Sequence, residues 1–99
     1  MSILVRSQDK EFLIEALSFS IGRNLENGKI KNYSIDCETT ACYESEVAVY
    51  KTKEKALKVL DMIQKQMCKI KAFERGEIVL LPRNIYAFEM PQDEEVKTE

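Results

Sequence analysis

Two kinds of spacing organise the apolar residues of this chain. Leu17, Phe19, Ile21 and Leu25, with Arg23 in the same series, alternate with Ser18, Ser20, Gly22 and Asn24. That period of two is the signature of a strand with one face buried. Asn27-Gly28 follows, and both residues tolerate the positive φ of a type I′ hairpin turn. The return strand is expected over Lys29 to Cys37, with Tyr33, Ile35 and Cys37 alternating. Glu38-Thr39-Thr40 is a polar break, after which Cys42 to Tyr50 resumes the alternation through Tyr43, Val47 and Val49. Upstream, Ile3-Leu4-Val5 and Phe12-Leu13-Ile14 flank the polar turn Ser7 to Lys10 and read as a first, shorter hairpin.

The spacing changes at Thr52. Ala56, Leu60, Ile63, Met67 and Ile70 lie four, three, four and three residues apart, which is one stripe of an α-helix. Thr52 is a natural N-cap, Glu54 suits the positive end of the helix dipole, and Gly76 is the natural stop. A helix from Lys53 to Arg75 would be about 34 Å long at 1.5 Å per residue. That exceeds what a four-stranded sheet needs, so either a break near Lys69–Lys71 or a far end that meets another chain is expected. Ile78 to Leu81 fits helix or strand, and Asn84 to Met90 reads as a final strand ending at Pro91. The expected architecture is α+β: an antiparallel meander of four to five strands packed with one long helix, plus a C-terminal strand. It occupies residues 1–91 as a single domain, and the polar, acidic residues 92–99 form a flexible tail.

Ninety-nine residues suffice for one thin-cored domain. The cysteines are Cys37, Cys42 and Cys68, with no C-x-x-C pair. Free thiols in a reducing, cytoplasmic compartment are expected, a Cys37–Cys42 disulfide being the alternative. Met1 to Arg6 does not read as a signal peptide, and no apolar run approaches the roughly 18 residues of a membrane span.

The net charge of −2 conceals a segregation. Residues 1–50 carry −3, residues 51–75 carry +5 and residues 76–99 carry −4. The helix is a cationic element in an acidic molecule. Its lysines are explained by a solvated face opposite the apolar stripe, or else by attraction for phosphate. Duplex DNA is not an expected partner, because the domain as a whole is not basic and the helix lacks arginine and aromatic readers.

The chain has no histidine, which removes Ser-His and Cys-His nucleophile pairs and the commonest metal ligand. No Gly-rich phosphate loop is present. Neither an enzyme, a metal site nor a cofactor is expected. One cluster carries binding chemistry: Arg83, Asn84, Tyr86 and Phe88 follow one another, with Arg75 close by in sequence. Arginine binds phosphate bidentately, an aromatic face stacks on a base, and asparagine both donates to and accepts from a base or ribose. The same aromatics would also serve as cover for the helix.

Three segments carry a resemblance. They are Ile3-Leu4-Val5-Arg6-Ser7-Gln8-Asp9-Lys10, the run Val49 to Ile63 entering the helix, and Tyr86-Ala87-Phe88-Glu89-Met90-Pro91. Together they resemble small, mostly uncharacterised proteins of phages and prophages of Gram-positive bacteria. The layout is also similar, less specifically, to the Thoeris anti-defence proteins of the first type, oligomeric sponges that sequester cyclic nucleotide immune signals without cleaving them. The resemblance implies a homo-oligomer in the host bacterial cytoplasm that holds a cyclic nucleotide by binding alone. A small inhibitor docking on a host defence enzyme or nuclease is the alternative. No site residue is carried over from either family; Arg75, Arg83, Asn84 and Tyr86 rest on their own chemistry.

Overall fold

A computed structural model describes residues 3–40, 45–76 and 86–97. The strands are β1 (Ile3–Arg6), β2 (Leu13–Ala16), β3 (Ser18–Glu26), β4 (Lys29–Glu38), β5 (Ser45–Tyr50) and β6 (Ala87–Glu89), with α1 (Lys53–Glu74) between β5 and β6. The α+β class holds: a five-strand meander, one helix, and a later strand. The six strands form two three-stranded sheets, ordered β2-β1-β6 and β3-β4-β5. The final strand lies parallel to β1, with Val5 opposite Phe88.

The β3–β4 hairpin follows from its turn. Asn27 and Gly28 have φ of 53° and 77°, as a type I′ turn requires. The core face of β3 and β4 carries Phe19, Ile21, Tyr33, Ile35 and Cys37, with Ile35 and Cys37 buried. Leu25 and Ile30 pair at the tip and remain exposed. On the polar face, Gly22 leaves room for the side chains of Asp36 and Ser34, which would have to shift for any larger residue. A Cβ there would stand 2.5 Å from Asp36 Oδ2 and 2.7 Å from Ser34 Oγ.

The helix runs unbroken over 22 residues, so the anticipated interruption near Lys69–Lys71 does not occur. Thr52 Oγ1 accepts from the Lys55 N–H, and Gly76, with φ of 79°, ends it. Ala56, Val59, Ile63 and Ile70 are buried. Ile70 lies in this chain's own core, so cover for the helix reaches well past its midpoint without a second chain. The helix packs chiefly on the sheet of β3, β4 and β5.

The sheets meet at Gln8. Its N–H donates to the Val47 carbonyl at 2.8 Å, and its side-chain amide pairs with the edge of β5 as a strand would. Gln8 Oε1 accepts from the Val49 N–H at 2.9 Å and Gln8 Nε2 donates to the Val49 carbonyl at 3.1 Å. The same Nε2 also donates to the Pro91 carbonyl at 3.1 Å, which in turn accepts from the Tyr50 hydroxyl at 2.7 Å.

Residues 92–97 correct the expectation of a flexible tail. Asp93–Glu95 forms a 3-10 turn, Gln92 Nε2 donates to the Gln8 carbonyl, and Val96 is buried in the core. One apolar residue among acids was too slight a pattern to announce this. Asp93 binds the start of the helix, accepting from the Lys51 N–H at 2.9 Å and from Lys55 Nζ at 3.0 Å. Desolvation alone would raise the Asp93 carboxyl, but the Lys51 N–H and the Lys55 ammonium outweigh it and hold the carboxyl below its ordinary value. Because the folded form is the stronger acid, this contribution is full above about pH 4 and is lost as pH falls below it. Asp93→Asn is therefore expected to flatten the acid limb of a stability-against-pH curve, measured by urea unfolding below about pH 4.

Candidate functional site at the far end of the helix

The helix delivers its cations to two different places. Near its start, Lys55 is held by Asp93, and the Lys58 ammonium donates to the Lys97 carbonyl. The acidic C-terminal segment thus satisfies part of the cationic face from within the molecule. The far half carries Lys65, Lys69, Lys71 and Arg75, all exposed. The +5 of the sequence is therefore distributed unequally, and its outward reach is concentrated in the last turns.

Of the four sequence-predicted site residues, Arg75 ends the helix and Tyr86 lies beside Glu74. Arg75 closes the helix, its N–H donating to the Lys71 carbonyl at 3.0 Å. Tyr86 enters β6, where its carbonyl accepts from the Leu4 N–H at 2.8 Å. The Tyr86 hydroxyl donates to Glu74 Oε2 at 3.4 Å, which brings Tyr86 beside the residue preceding Arg75. Desolvation and the Glu74 charge raise the Tyr86 hydroxyl above its ordinary pKa, so it stays a donor at neutral pH. Arg83 and Asn84 lie outside the described residues.

Sequence reasoning missed the groove that leads to this corner. It runs between α1 and β3, lined by Leu17, Phe19, Leu60, Met67 and Lys71 among others, with a volume of about 370 Å³. That falls within the span typical of small-ligand sites, roughly 300–1,000 Å³. Lys71 stands at its wall, and Arg75 follows one turn later on the same side of the helix. An apolar trough with an aromatic ring in its wall and cations at one end suits a ligand with a flat body and an anionic group. The signal was present in the sequence as the i, i+4 pair Lys71 and Arg75, but only the packing of β3 beside α1 makes it a groove.

A second depression lies on the polar face of β3-β4-β5, lined by Ser20, Gly22, Asn24, Ser34, Asp36 and Glu46. Asp36 and Glu46 are cross-strand partners there and outnumber Arg23, the one cation in the lining, so this surface disfavours phosphate. The groove beside the helix is the better anion site on electrostatic grounds.

Cys37 is buried and Cys68 exposed; Cys42, the other half of the alternative disulfide, is outside the described residues. Among the described residues, no helix is long and apolar enough to cross a membrane. Comparison with protein-family models, with curated proteins and with solved structures gave no match.

Proposed function

We propose that this chain is a non-enzymatic binding protein that sequesters a cyclic nucleotide signal, as a phage-derived anti-defence protein acting in the host bacterial cytoplasm. The observation that carries the reading is the groove between α1 and β3, with Phe19 in its wall and Lys71 and Arg75 following one another at its end. A base would lie along the apolar wall against Phe19, and the phosphates would meet the two cations. Arg75, Arg83, Asn84 and Tyr86 are the proposed ligand-binding residues, with Lys71 added to them. The resemblance to phage proteins supplies the biological setting, and charge-assisted bonds to phosphate supply much of the affinity such a protein needs.

Thermal-shift titration against cyclic di- and trinucleotides and cyclic ADP-ribose isomers tests this directly. Binding is expected to raise the melting temperature, and heating the complex is expected to return the ligand intact. Arg83→Ala and Lys71→Ala should each weaken binding by roughly 1.5–3 kcal/mol, a loss of tenfold to more than a hundredfold. Recovery of a cleaved product would point to an enzyme instead.

The rival reading, a small inhibitor docking on a host enzyme or nuclease, draws on a different observation. Leu25 and Ile30 form an exposed apolar pair at the hairpin tip. It would be preferred if no nucleotide shifts the melting temperature and Leu25→Asp abolishes inhibition of such an enzyme.

A further inference from the structure

We propose that β3 is the dimerisation edge of this protein, pairing antiparallel with β3 of a second copy about a two-fold axis at Ile21. The inference needs no bound nucleotide, and because it engages Leu17 and Phe19 the second copy would border the groove proposed for the ligand. Among the described residues β3 pairs with β4 alone, so one whole edge of Ser18–Glu26 has no strand beside it. The main-chain groups of alternate residues along that edge point away from β4, and their unmet donors and acceptors form a template for another strand. Natural edges of this length are usually blunted by lysine, proline or inward-pointing charge. Here Leu17 to Gly22 carries no charge and no proline, Arg23 is the one cation of the strand, and the register with β4 shifts just beyond it at Asn24/Leu25.

The residue pattern selects both the occupant and the register. Antiparallel pairing centred on Ile21 sets Leu17 opposite Leu25 of the second copy, Phe19 opposite Arg23, and Ile21 opposite itself. Leu25 is 66% exposed and Leu17 41% exposed in the single chain, and this register covers each with the other. The only cation in the span, Arg23, meets an aromatic ring, repeating across the axis its present position 5.9 Å from the centre of the Tyr33 ring. Centring on Arg23 instead would oppose two like charges, and centring on Gly22 would leave Leu17 without a partner. Alternation keeps Ser18, Ser20 and Asn24 on the polar face of both copies. The product is a continuous six-stranded sheet with the same patch used twice, as a closed two-fold dimer requires.

Sedimentation equilibrium with the full chain tests the edge and the register together. The protein is expected to dimerise with Kd at or below roughly 10 µM. Leu25→Asp and Leu17→Lys, both at exposed positions, should each weaken the dimer at least tenfold while circular dichroism stays unchanged. The double variant Leu17→Lys/Leu25→Asp opposes a cation to a carboxylate at both ends of the paired strands and should restore association. A wild-type chain that stays monomeric at roughly 200 µM overturns the proposal. So do single variants that dimerise as tightly as the wild type, and so does a double variant no tighter than either single one.

Discussion

Tyr50→Ala is expected to remove about 3–5 kcal/mol of folding free energy, the largest loss from any single truncation of this chain. Tyr50 is the largest of the fully buried side chains and closes β5 immediately before the helix. Its ring belongs to the core shared by both sheets and the helix, so truncation leaves a cavity that none of the three layers can close alone. A domain of this size commands only about 5–15 kcal/mol in all. In urea the midpoint should fall by a third or more. Tyr50→Phe separates the ring from the hydroxyl. The Pro91 carbonyl would keep the Gln8 amide as a donor, so the cost should stay near 1 kcal/mol. Burial, followed by the Asp93 and Glu95 charges, raises the hydroxyl well above its ordinary pKa of 10.0. A raised pKa in the folded state means stability is retained below about pH 10 and lost as pH climbs beyond it. Tyr50→Phe should abolish that part of the alkaline loss. An alkaline limb identical in the two proteins would show that Tyr50 does not cause it.

The elements legible in the sequence are those whose causes are local. Asn27-Gly28 sets the hairpin turn through its own φ preferences, and Thr52 and Gly76 bound the helix through bonds made within one turn of themselves. What was not legible depends on residues that meet across the chain. Val5 and Phe88 pair in parallel although more than eighty positions separate them, and alternation in either strand records nothing about its neighbour. Gln8 has the composition of a turn residue, yet its amide substitutes for a strand at the edge of β5. The candidate site shows the same division. Tyr86 meets the carboxylate of Glu74, the residue before Arg75, which was not anticipated. Lysines read as one cationic face differ in fact, because the acidic turn after Pro91 comes back to Lys55 and leaves Lys71 facing the groove.

Gln8→Ala should be the most damaging polar substitution, at about 2–3 kcal/mol, because it removes three side-chain bonds while leaving main-chain partners behind. The Val49 N–H and carbonyl both lose their partner at a half-buried edge, and the Pro91 carbonyl keeps only Tyr50. For a domain of this length that corresponds to a fall in melting temperature of roughly 10–20 °C. The expected signature is local as well as global. Hydrogen exchange at the Val49 amide should lose its protection, while the Ile35 amide, at the centre of the sheet, should exchange only at the rate set by whole-molecule unfolding. Gln8→Glu refines the point, since a carboxylate can still accept from the Val49 N–H but places negative charge against the Val49 and Pro91 carbonyls. It should be as destabilising as alanine at neutral pH and recover when acid protonates it. Because Gln8 and Tyr50 share the Pro91 carbonyl, Gln8→Ala/Tyr50→Phe should cost more than the two single changes added together, the last donor to that oxygen having gone. Strict additivity, with Val49 protection unchanged in Gln8→Ala, would mean that the two sheets are joined by apolar packing alone.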